Sequence, residues 1–177
     1  MVKDMNVKQI TKIAITTTIF SIASSIVIPF GLVPISLSTL FLCIMSTILK
    51  PKEIVISILM YLFLGIIGIP VFAGFQAGIG VLIGPTGGYL IGYIFAGFIM
   101  SLINNVTKKK IVYPFSFLIG TMILYFFGTV HFMLVMNMNF RESIVITIYQ
   151  FAVGDILESI IALVISLMLN KIFTNYQ

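Results

Sequence analysis

Charge is scarce in this chain. Asp, Glu, Lys and Arg make up 8% of its 177 residues, whereas 60% are hydrophobic and the mean hydropathy is +1.21. Soluble domains carry about 25% charged residues, so this composition excludes a water-facing surface around the whole chain. Cysteine is nearly absent. Cys43 stands alone in an apolar run, which excludes an internal disulfide and reads as packing. His131, beside Phe132, is the single histidine, and a metal site needs several such ligands together. It reads as a packed, hydrogen-bonded residue, and neither metal nor cofactor is expected. The start is basic and then apolar, but no A-x-A site follows, so an uncleaved first helix is expected. The ten-residue alternation of a membrane β-barrel is missing as well.

What is present is apolar sequence punctuated by proline, glycine and lysine. Several stretches approach the roughly 20 residues that cross a bilayer as a helix. The chain therefore reads as an all-α integral membrane protein, with residues 1–177 in one domain. Six transmembrane helices are expected, near residues 9–28, 35–49, 52–69, 87–103, 113–135 and 153–173. The second lies between Pro34 and Pro51, and at roughly 22 Å it is too short for the full hydrocarbon core.

Basic residues fix the expected orientation. Lys3, Lys8, Lys12, Lys50, Lys52, Lys108, Lys109, Lys110 and Lys171 fall on one side, and Arg141 falls on the other. The positive-inside rule then makes both termini cytoplasmic. This accounts for the net charge of +5 without nucleic acid as a partner. The outer face is expected to carry the segments 29–34, 70–86 and 136–152. The middle one reads as a long unstructured loop, a length that is often functional.

That loop runs into "GIGVLIGPTGGY", residues 78–89. A phosphate-binding loop needs Gly-Lys-Ser/Thr after its glycines, but here Tyr89, Leu90 and Ile91 follow. The dinucleotide spacing fails too. Gly88, Gly92 and Ala96 instead form a smooth stripe at four-residue steps, suited to close helix packing. Pro85, Gly87 and Gly88 suit a tight turn entering a helix, whose free N–H groups point outward.

Asp155 and Glu158 are the acids expected within the membrane, three residues apart on one helix near its outer end. Ionisable groups there are costly and point to function. Asp155 follows Gly154, so a helix N-cap is the competing reading. A proton relay through the two carboxylates, as in a secondary transporter, is another. Phe30, Phe72, Phe75, Tyr89, Tyr125, Phe126, Phe127 and Phe151 collect in the outer half. Gln76, Thr86, Ser36, Ser38 and Thr39 add polar groups. Apolar walls with a few placed polar groups describe a small-molecule pocket. Asp155, Glu158, Tyr89, Phe72, Tyr125, Thr86, Gln76 and Ser38 are its candidate residues. On the first helix Ala14, Thr18 and Ser21, continued by Ser25, form a small-residue face for a partner helix or for internal packing. No nucleophile–base pair supports an enzyme.

Four segments carry a resemblance. They are Val33-Pro34-Ile35-Ser36-Leu37-Ser38-Thr39-Leu40, the run Gly65 to Gly74, Gly84-Pro85-Thr86-Gly87-Gly88-Tyr89-Leu90, and Gly154-Asp155-Ile156-Leu157. With them the chain resembles the BioY family, the biotin-specific S components of energy-coupling factor (ECF) transporters. The resemblance implies a six-helix S-component bundle in the cell membrane and an outward-facing biotin pocket. It also implies a membrane coupling protein, docked at Ala14, Thr18 and Ser21, and two cytoplasmic ATPases.

The sequence departs from the family at three places. The family's Gly-Asp-x-x-Lys has Glu158 at its last position, Ser38 replaces a glutamine, and a proline before the Gly-Asp motif is missing. Two carboxylates about 4 Å apart repel by roughly 4 kcal/mol at an effective dielectric near 20. A biotin derivative or another vitamin with a different tail is therefore the alternative ligand. In that case Glu158→Lys shifts the preference between biotin and its amide in a binding titration. Equal nanomolar binding of free biotin by both proteins counts against it.

Overall fold

The computed structural model of the chain describes residues 6–28, 35–107 and 109–175. Helix α1 spans Val7–Ser25, and Gln9 reaches back to accept the Asn6 N–H at 3.1 Å. It was expected to continue to residue 28. Instead β1 (Val27–Ile28) leaves the helix and pairs antiparallel with β2 (Ile35–Ser36). The β-branched run Ile26-Val27-Ile28 ends against Pro29. Branched side chains and a following proline both favour extended backbone. Helix α2 (Ser38–Ile48) is followed by α3 (Pro51–Ile66), whose Glu53 accepts the Lys50 N–H at 3.0 Å.

The expected unstructured loop is ordered. It contains a 3-10 turn at Ala73–Phe75 and a short helix α4 at Ile79–Ile83. The Phe72 N–H donates to the Gln76 carbonyl at 3.0 Å, and the Gly78 N–H donates to the Gly65 carbonyl at 2.7 Å. Gly74 (φ 70°) and Gly78 (φ 92°) supply the left-handed corners that allow this path.

Helices α5 (Gly87–Thr107) and α6 (Tyr113–Met136) follow. Segment 136–152 is also not the loop expected. After Asn137 it forms α7 (Phe140–Ile144) and one π-helical turn at Val145–Tyr149, which feeds α8 (Gln150–Asn175). Hydroxyls stitch this turn: Thr147 Oγ1 donates to the Ser143 carbonyl at 2.7 Å and shares a bond of the same length with Thr129 Oγ1. The six expected helices correspond to α1, α2, α3, α5, α6 and α8.

Helices α5 and α6 form the most extensive pair. A Cβ at Gly88 would run into the Phe127 carbonyl and His131, and one at Gly92 would press on Phe127 and Leu124. The small-residue stripe of α5 therefore lies against α6, and Ala96 is fully buried on the same stripe. Gly128 of α6 in turn leaves room for the Tyr89 ring.

At the end of the bundle where α1 begins, Glu53 joins three elements. Lys12 Nζ lies 3.5 Å from it and donates to the Ile48 carbonyl, and Gln9 Nε2 donates to it at 3.3 Å. Outside, large apolar side chains such as Phe63, Phe95, Phe126, Ile156 and Ile160 are exposed. Such a surface suits lipid. Among the described residues three helices are long and apolar enough to cross a membrane, Gly87–Thr107, Lys110–Met136 and Phe151–Leu169. The protein is a multi-pass helical membrane protein.

The close α5–α6 approach predicts that Gly88→Ala destabilises the protein by about 1–3 kcal/mol through overpacking. Gly80, whose Cβ would meet nothing within 4 Å, tolerates alanine to within about 0.5 kcal/mol. Thermal unfolding of the two variants in detergent checks the contrast.

Candidate functional site

A cavity of about 160 Å³ opens where α1, α2, α3, α5, α6, α8 and the 70–86 segment converge. Rings build its walls. Phe72 is fully buried and meets Tyr61 edge-on at 5.5 Å, and Phe20 stands edge-on to both Tyr61 (4.8 Å) and Tyr93 (5.6 Å). Tyr89 leans on Phe151 at 5.5 Å. T-shaped contacts of this kind fix ring positions as well as burying area.

Several of the cavity's polar groups are held by hydrogen bonds. Tyr125 donates its hydroxyl to Asp155 Oδ2 at 2.6 Å. Ser38 Oγ links Ser36 Oγ and the Tyr93 hydroxyl, both at 2.5 Å. Tyr89 donates to the Thr147 carbonyl at 3.1 Å, which ties the wall to the π-helical turn. Asp155 is buried and, among the described residues, takes part in no ion pair. A carboxylate has about four acceptor sites, so the Tyr125 hydroxyl engages part of that capacity. The arrangement is built to accept hydrogen bonds from a small ligand at one end and to bury its apolar part against rings.

The structure brings together Asp155, Tyr89, Phe72, Tyr125, Thr86, Gln76 and Ser38 around this one cavity. It does not bring Glu158 there. Residues three apart differ by about 60° around a helix. Glu158 uses that offset to turn toward α2, where its Oε2 accepts the Leu40 N–H at 2.9 Å. Nor does Asp155 cap α8. The helix begins at Gln150, which leaves Asp155 inside it.

Of the outer aromatics, Phe75 and Phe126 are exposed and face away, while Phe127 stacks on Phe95 at 4.7 Å. Phe30 lies outside the described residues. His131 is hydrogen-bonded, its Nε2 standing 3.0 Å from the Gly84 carbonyl. On α1, Ala14 and Thr18 are exposed, but Ser21 and Ser25 are buried against the bundle. That removes Ser21 from a free docking face, because other elements cover α1 at Ser21 and Ser25.

Sequence reasoning missed Tyr61, Tyr93 and Ser24, which also line the cavity. A signal existed for Tyr93, which sits one turn from Tyr89 within an apolar helix. A tyrosine buried there needs a partner for its hydroxyl. Nothing in the sequence pointed to Ser24 or Tyr61.

A model of the BioY family matches residues 1–175. "Biotin transporter BioY2" of Lactococcus lactis subsp. cremoris is 36% identical over 178 residues, covering 94% of this chain and 96% of that one. "Biotin transporter BioY" of Thermotoga maritima is 32% identical over 168 residues, covering 93% and 97%. Among solved structures, the S-component for biotin from an ECF-type ABC transporter superposes with a TM-score of 0.85 at 28% identity, covering 93% of this chain and 92% of that chain.

The Tyr125–Asp155 pair predicts non-additive stabilities. Tyr125→Phe and Asp155→Asn each lower the unfolding free energy, and the double variant recovers about 0.5 kcal/mol or more of the summed loss. Additive losses in a thermal-unfolding cycle would show that the two side chains do not interact.

Proposed function

The chain belongs to the BioY family, and on that premise we propose that it is the biotin-binding S component of an ECF-type transporter, taking up biotin in the cavity beside Asp155. The family consists of transport subunits, and the chain is not an enzyme. The observation that carries the proposal is the pairing of a buried carboxylate with an aromatic cavity. Biotin has two ureido N–H donors on a compact bicycle and an apolar arm. Asp155 is suited to accept from the ureido group, a charge-assisted bond. The Ser38–Tyr93 hydroxyls are suited to its carbonyl. Phe72, Tyr89 and Tyr125 flank the bicycle, with Thr86 and Gln76 toward the 70–86 segment.

The cavity is outward-facing in this reading. Ser24 lines it, and Lys12 sits twelve residues earlier on α1, roughly 18 Å away along the helix axis. Lys12, Lys50 and Glu53 thus mark the opposite end, which the positive-inside rule assigns to the cytoplasm. Both termini are cytoplasmic, α1, α2, α3, α5, α6 and α8 are the membrane helices, and the membrane is the cell membrane. The exposed Ala14 and Thr18 form the face for a membrane coupling protein, which links the subunit to two cytoplasmic ATPases. Glu158, engaged with Leu40, does not oppose the carboxylate of the biotin arm, so free biotin is the favoured ligand over an amide.

Mass spectrometry of ligand released from the purified protein is expected to yield biotin. Asp155→Asn is expected to weaken biotin by roughly tenfold to a hundredfold in a calorimetric titration, the loss of one charged hydrogen bond. Recovery of a different vitamin, or unchanged biotin affinity in the variant, would overturn the assignment.

A further inference from the structure

Helix α2 begins without the usual means of closing its first turn. The preceding residue, Leu37, has no capping side chain, and the first turn contains no acid. The N–H groups of a first helical turn have no partner within the helix, and an apolar surround supplies no water to them. The acid comes from another helix. Glu158 of α8, itself buried, accepts the Leu40 N–H at 2.9 Å.

The two residues just before Leu40 in α2 are Ser38 and Thr39, and both line the cavity. Ser38 is held at 2.5 Å from both Ser36 and Tyr93. On the same helix as Glu158, Asp155 lines the cavity three residues earlier. The Glu158–Leu40 bond therefore joins the two helices that carry these polar groups.

We propose that Glu158 is a positioning residue, which closes the first turn of α2 from α8 and thereby sets Ser38 and Thr39 against Asp155 for ligand binding. The inference rests on the proposed biotin cavity and gives Glu158 a role that does not touch the ligand. A backbone N–H near the positive end of a helix is a good partner for a carboxylate. The bond is also independent of the charge of the ligand's arm.

The full chain in lipid nanodiscs tests this with Glu158→Met, which keeps the side-chain length but has no acceptor oxygen, and Glu158→Gln, which keeps the acceptor. Hydrogen exchange of the Leu40 amide is followed without ligand, and affinities are measured for biotin and for its neutral amide. In Glu158→Met, Leu40 exchange is expected to accelerate about tenfold or more, and both ligands to weaken by a common factor of roughly tenfold. Glu158→Gln is expected to stay within about threefold of wild type in every readout.

Should Glu158→Met give no folded protein, Glu158→Asp keeps the carboxyl group but falls one methylene short, and the methionine expectations apply to it. Unchanged Leu40 exchange in the shortened or acceptor-free variant overturns the proposal. So does an effect confined to one of the two ligands, which would mean contact with the arm, or a glutamine variant as impaired as methionine. If the wild type itself binds no biotin, the functional reading fails on its own, and Leu40 exchange alone decides the role of Glu158.

Discussion

Hydrocarbon gives a buried polar group no water as a partner, and the form of this protein follows from that constraint. Where a helix starts or ends, its orphan groups need a side chain, from its own first turn or from a neighbouring helix. Glu53 closes the first turn of α3 and gathers Lys12 and Gln9 of α1 around it. Ser101 and Asn105 of α5 donate to the Leu49 carbonyl at the end of α2. Glu158 serves the beginning of that same short helix. Helix α2, with 11 residues, is held at both ends by other helices, which suits an element too short to rely on its own length.

Close packing of α5 on α6 has a second consequence. Glycines at 88, 92 and 128 let the two backbones approach, and the room left at Gly128 is filled by the Tyr89 ring. Tyr89 and Tyr93 are one turn apart on α5, so fixing one fixes the direction of the other. The glycine-rich run thus acts through geometry. It brings two tyrosines to the cavity wall and lets His131 fasten its end at Gly84.

Much of this was legible in the sequence because it obeys local rules. Apolar length and proline punctuation placed six helices, and the four-residue steps of Gly88, Gly92 and Ala96 identified the smooth face of α5. The candidate residues Asp155, Tyr89, Phe72, Tyr125, Thr86, Gln76 and Ser38 line one cavity because α2, α5, α6, α8 and the 70–86 segment converge there. What was not legible depends on partners distant in sequence. Leu40 and Glu158 are 118 residues apart, and no spacing rule links them. The ordered path of segment 70–86 depends on Gly78 reaching the Gly65 carbonyl, again a contact across the fold. The helical character of 140–149 was hidden because its polar residues read as loop. They instead satisfy one another through hydroxyl-to-carbonyl bonds.

The two carboxylates of α8 differ in the kind of donor each one meets. Asp155 accepts from a tyrosine hydroxyl, and Glu158 accepts from a backbone N–H fixed within a helix. A hydroxyl hydrogen rotates about its C–O bond to suit a new neighbour. An amide hydrogen cannot turn without moving the helix that carries it. In the proposed reading Asp155 is thus the acid able to rearrange its bonds when ligand N–H groups arrive. Glu158 keeps its bond in both states. In that reading Glu158 belongs to the frame, and recognition rests on the aspartate and the rings around it.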